Sequence, residues 1–153
     1  MATSSKENFQ VWSDRFLYSR LSLARVMGAA GMWAFVGLDY ILHAGEVTTL
    51  LLLRGLAVFL LFATSIFDKT TLARKYPYLI ALVIMWSAAL PLSHMTIFLG
   101  GFQSDYYLGV IMIHTGAAVL LPWRWQLHVF AQLGSMAYWF AINAYMFGLA
   151  DFY

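Results

Sequence analysis

From residue 23 onward the chain is a series of apolar blocks separated by short polar breaks. The blocks cover residues 23–43, 47–67, 78–99, 106–121 and 127–149. The breaks are Ala44-Gly45-Glu46, the stretch from Asp68 to Pro77, Gly100 to Asp105, and Pro122 to Arg124. A helix crossing a hydrocarbon core about 30 Å thick needs roughly 20 apolar residues, so each block is read as one membrane span. The segment over residues 9–21 is different. Phe9, Trp12, Phe16 and Leu17 recur at helical spacing, with Asp14, Arg15, Ser19 and Arg20 on the other face. It is too short and too charged to cross, and reads as an amphipathic interfacial helix leading into the first span. The pattern therefore predicts an all-α polytopic bundle over residues 1–153, a single membrane domain with five transmembrane helices.

Local signals refine the blocks. Ala24 and Gly28, and Ala30 and Ala34, place small residues four apart in the first span, where they let another helix approach closely. Pro77 suits the first turn of the third span, and Pro91 inside it predicts a kink that frees the carbonyl of Ser87. The Gly100–Asp105 loop offers Ser104 or Asp105 as a cap for the fourth span. Pro122 stops that span, and Trp123-Arg124-Trp125 reads as an aromatic belt beside a positive loop.

Composition agrees. Hydrophobic residues make up 62% and charged residues 10%, against about 45–50% and about 25% in soluble domains. The N-terminus lacks the apolar core of a cleavable signal peptide, and without cysteine there is no thiolate metal site or Cys nucleophile. A net charge of +2 raises nucleic acid as a partner. The basic residues, however, lie in short loops beside apolar blocks, the pattern of membrane topology. With five spans, Lys6, Arg15, Arg20, Arg25, Lys69, Arg74, Lys75 and Arg124 share one side, while His43, Glu46, Asp105 and Asp151 share the other. The positive-inside rule then puts the N-terminus in the cytoplasm and the C-terminus outside, in a bacterial inner membrane.

Asp39, late in the first span, and Arg54, early in the second, fall at similar depth on neighbouring helices. Ionisable groups inside a bilayer usually pair or line a site. With His94 and Asn143, also toward the outer side, they form a candidate ligand-binding or structural polar cluster. The two roles differ in kind, one being an outward-opening pocket and the other a pair that fixes helix register. His114 reaches mid-membrane and is the candidate for a chlorin, haem or quinone, against hydrogen bonding to a neighbouring helix. His94 and His114 differ in depth by roughly 10 Å, too much for a shared haem. No nucleophile–base motif or phosphate-binding glycine loop occurs. No catalytic or metal residue is assigned, which points away from an enzyme. Trp86, Tyr138 and Trp139 mark a candidate aromatic pocket.

The arginine-bearing approach (Arg15, Arg20, Arg25), Leu38-Asp39-Tyr40, Leu53-Arg54-Gly55, Tyr106-Tyr107-Leu108-Gly109 and Pro122-Trp123-Arg124-Trp125 occur in a fixed order. In this the chain resembles the N-terminal multi-helix membrane modules of bacterial sensor histidine kinases and of adenylate or diguanylate cyclases. The resemblance implies anchoring, dimerisation and sensing of a small or lipophilic ligand. It also implies a sixth helix and a cytoplasmic effector domain, which five spans ending outside do not supply. The expectation is a non-enzymatic, stand-alone relative of such modules. It would act through helix–helix contacts, by self-association or with other membrane subunits, as a ligand-sensing or accessory part of a larger assembly. The alternative is a small pigment-, haem- or quinone-binding subunit of an electron-transfer complex.

Overall fold

A computed structural model describes residues 2–121 and 124–148, with side chains from residue 11 onward. The described residues form helices and turns, without strands. In chain order they are α1 (Ala2–Ala34), α2 (Val36–Leu42), α3 (Val47–Ala63, continued by a 3-10 turn Thr64–Phe67), α4 (Thr71–Lys75), α5 (Pro77–Phe98), a 3-10 turn Gly101–Gln103, α6 (Tyr107–Leu120) and α7 (Trp125–Phe147). The expected Pro122-Trp123 stop and the end of the fifth block, with Asp151, lie outside the described residues.

Among the described residues, three helical segments are both long and apolar enough to cross a membrane: Val11–Leu42, Val47–Phe67 and Pro77–Phe98. Helix α6 is apolar but only 14 residues long. Helix α7 has the length, yet Gln126, His128, Gln132 and Asn143 dilute its apolarity. Large apolar side chains such as Ile41, Leu52, Val119 and Phe59 face outward around the bundle, a surface compatible with lipid contact.

Helix α5 is the central element. Most of its residues are buried, and it packs against α1, α3, α6 and α7. Pro77 opens it at the first turn, where a missing amide costs nothing. Pro91 does not divide it; the helix continues to Phe98. It ends where Gly100 (φ +98°) and Gly101 (φ +63°) take left-handed backbone. Gly101 is doubly constrained, because a Cβ there would sit 2.7 Å from the Phe147 ring. Ser104 then accepts a 3.3 Å hydrogen bond from the amide of Tyr106 at the start of α6.

The segment over residues 9–21 is not a separate interfacial helix. It is the first part of α1, which runs unbroken to Ala34. No glycine or proline occurs before Gly28, and Leu17, Leu21 and Ala24 continue one buried stripe into the bundle. The Tyr18 hydroxyl donates to the carbonyl of Asp68 at 2.5 Å, tying this segment to the turn before α4. The Trp12 ring, stacked on Phe16, remains outward. The helix breaks instead at Phe35.

Candidate functional site

The break at Phe35 and the turn between α2 and α3 bring Asp39 and Arg54 together. Arg54 Nε donates to Asp39 Oδ2 at 2.6 Å and Nη2 to Asp39 Oδ1 at 2.9 Å. The two side chains are 1% and 0% exposed. Nη1 donates to the carbonyl of Met32 at 2.7 Å. In an unbroken helix that carbonyl would take the amide of Val36, so the guanidinium serves the backbone where α1 stops. The Tyr106 hydroxyl, just before α6, donates to Asp39 Oδ1, and its ring centre lies 5.9 Å from the guanidinium carbon. One ion pair thus joins α1, α2, α3 and the start of α6. The parallel fork of an arginine suits this two-point grip on a carboxylate.

A second pair holds the other end of the same helices. Arg25 on α1 donates from Nη1 and Nη2 to the two oxygens of Asp68, each at 2.6 Å, and from Nε to Thr64 Oγ1 at 2.7 Å. Arg25 is buried, so it is not a free loop charge. Sequence reasoning had assigned it only to the basic approach. The signal was nevertheless present. Arg25 and Asp68 are equidistant from the turn between Glu46 and Val47, as are Asp39 and Arg54. In an antiparallel hairpin, equidistant residues face each other.

The other two members of the expected cluster lie elsewhere, on the α5–α7 contact. Asn143 Nδ2 donates to Thr96 Oγ1 at 2.9 Å and to the carbonyl of Trp139 at 2.8 Å. His94 Nδ1 is 3.3 Å from the Tyr138 hydroxyl. The four residues therefore form an ion pair and two separate α5–α7 hydrogen-bonded contacts. Of the candidate aromatic pocket, Trp86 donates from its ring nitrogen to the carbonyl of Ala131 at 3.1 Å, again joining α5 to α7.

His114 is 3% exposed, and neither ring nitrogen has a hydrogen-bond partner. Its ring lies edge-on to His128 with centroids 6.2 Å apart. The same equidistance rule brings them together, because both stand seven residues from Leu121, where α6 ends. Among the described residues no group of three or more potential metal ligands forms.

Between α1 and α6 runs a cleft of about 580 Å³. Small residues line it, Gly28 and Gly31 on one side and Gly109 and Gly116 on the other, together with Met85 and Ala88 of α5. Gly31 and Gly116 face open space, while Gly28 abuts Leu61 and Gly109 abuts Leu92. Apolar groups line nearly all of it. The polar contribution is concentrated at one end, where Arg54, Asp105 and Tyr106 reach the wall. Comparison with known proteins gives no family: no family model matches the chain, and no curated protein or solved structure matches it.

Proposed function

We propose that this protein is a five-span, non-enzymatic membrane module with its N-terminus in the cytoplasm, in which an outward-facing cluster of Asp39, Arg54 and Tyr106 couples occupancy of the α1–α6 cleft to helix–helix contacts with a partner. One observation carries the reading. The Tyr106 hydroxyl is bonded to the buried Asp39–Arg54 pair, and Arg54 and Tyr106 also reach the cleft wall. Anything that shifts α6 against the α1–α3 hairpin must stretch that hydrogen bond, so the cleft and the packing of the bundle share one joint. Two-state coupling of this kind needs a ligand that favours one arrangement over the other. The motif order shared with sensor and anchor modules supports the same role, as a stand-alone relative acting by self-association or within a larger assembly.

The test is co-purification from native membranes. Asp39→Asn and Tyr106→Phe should insert normally and lose the partner or the response to ligand. Retention of both by both variants would remove the proposal.

A second reading is an accessory subunit binding a pigment, haem or quinone at His114. A buried imidazole with two unbonded nitrogens is uncommon, because buried polar groups are nearly always paired. A visible absorption spectrum and a quinone extract of the purified protein decide it. A colourless preparation without quinone removes this alternative.

A further inference from the structure

We infer that the α1–α6 cleft takes one extended, uncharged lipophile, its carbonyl or hydroxyl oxygen at Arg54 and its single chain lying along the helices. The inference deepens the membrane-module reading and rests on it, since lipid is what delivers such a molecule to the cleft.

Shape selects the occupant first. The wall formed by α1 and α2 runs from Ala24 to Leu42, about 27 Å at 1.5 Å per residue, nearly the thickness of a hydrocarbon core. Spread over that length, about 580 Å³ gives a groove on the order of 8 Å between its walls, once the radius of a water molecule, about 1.4 Å, is added on each side. A helix with its side chains is about 10–12 Å wide and does not enter. One hydrocarbon chain, whose carbons contact their neighbours at about 3.5–4.0 Å, does. The volume also falls within the range of about 300–1,000 Å³ typical of small-molecule sites, which are apolar with a few convergent polar groups.

Charge selects the head. Arg54 spends one N–H of each nitrogen on Asp39 and Met32, leaving one N–H on Nη1 and one on Nη2. These are donors for an oxygen. The positive charge, however, is already matched by Asp39, and Asp105 adds a further negative charge at the same end of the cleft. Residues 26–68 contain no other lysine or arginine, and residues 76–123 contain none. A carboxylate or phosphate head would therefore meet net negative charge, while a carbonyl or hydroxyl meets donors without that penalty. A long-chain alcohol or ester and a prenylquinone share this chemistry.

The full chain, purified and returned to phosphatidylcholine vesicles, is labelled with a photoactivatable long-chain alcohol and with the carboxylic acid of the same chain. The alcohol should label α1 and α6 saturably and the acid weakly. A Cβ at Gly31 or at Gly116 meets nothing within 4 Å, so Gly31→Leu and Gly116→Leu fill the cleft without forcing the backbone. Each should lower alcohol labelling roughly tenfold by removing buried apolar contact. Gly55→Leu, equally unobstructed and outside the cleft, should not. Asp105→Asn should raise labelling by the acid several-fold. Competition with unlabelled prenylquinone and unlabelled long-chain ester separates the two sources of the head group. Unsaturable labelling, which ordinary bilayer lipid would give, overturns the inference. So does equal labelling in the filled variants, or an acid as effective as the alcohol. Labelling is read on the isolated chain and assembly in native membranes, so failure here is distinct from failure of the partner proposal.

Discussion

Replacing Arg54 with methionine isolates the energetics of the central pair. The substitution keeps the volume of the side chain roughly constant and removes three hydrogen bonds, two to Asp39 and one to the Met32 carbonyl. A neutral interhelical hydrogen bond in a membrane protein contributes about 0.6 kcal/mol, and about 1.7 at most. Those losses alone would be modest. The dominant effect is the stranding of Asp39, which is fully buried and keeps only Tyr106 as a side-chain partner. Breaking a buried pair from one side costs about 3–5 kcal/mol. The double variant Asp39→Leu/Arg54→Met strands no charge and is expected within about 1 kcal/mol of the parent, or more stable by up to about 4 kcal/mol. The assay is a double-mutant cycle by reversible unfolding in mixed micelles, followed by tryptophan fluorescence and helical circular dichroism. A cost below about 1 kcal/mol for Arg54→Met, or costs that simply add in the double variant, would refute the argument.

Three further outcomes follow from the same geometry. Arg25→Met should cost less, about 1–2 kcal/mol in the same assay, because Asp68 is 33% exposed and retains water. Gly101→Ala should destabilise by about 1–3 kcal/mol, since it combines a positive φ with a Cβ driven into Phe147, whereas Gly116→Ala should be neutral or stabilise by up to about 1 kcal/mol. The chain has no cysteine, so single cysteines at Glu46 and at Lys69 report their sides directly. On the five-span proposal, an impermeant thiol reagent outside the cell labels the first and not the second, and the reverse pattern would invert the orientation.

Much of the helix layout was legible because membrane segments are written in long apolar blocks. The α2–α3 turn at Gly45, the first-turn proline of α5 and the glycine stop at Gly100 all fall where the polar breaks put them. The joining of the first thirty-odd residues into one helix was misread. Charge on one face suggested a surface helix, but Leu17 and Leu21 are buried in the bundle and Tyr18 bonds to the turn before α4, a contact no local pattern contains. The Asp39–Arg54 pair was visible as two charges near one turn. Arg25–Asp68 was missed because Arg25 was grouped with the basic approach, and His114–His128 because His114 was matched only against His94. Counting outward from each turn, where antiparallel neighbours meet, recovers both. The separation of His94 and Asn143 from the ion pair has another cause. They lie on α5 and α7, and which helices touch is decided by packing around α5. The cleft was not legible at all, since it is a gap lined by residues of α1 and α6 that lie far apart in the chain.

The reversed signs at the two ends of the α1–α3 hairpin have a consequence for how the chain is made. The segment formed by α1 and α2 carries a cation at position 25 and an anion at position 39, and α3 with the turn after it brings the opposite charge to each. Alone in lipid, such a charge near the helix centre costs about 2.5–3.5 kcal/mol on insertion scales, and less toward the ends. The emerging first helix therefore has reason to linger in the insertion machinery until about residue 68 has been synthesised. The two then partition together, each neutralising the other, so that the earliest segment of the polypeptide waits for the next before committing to the bilayer.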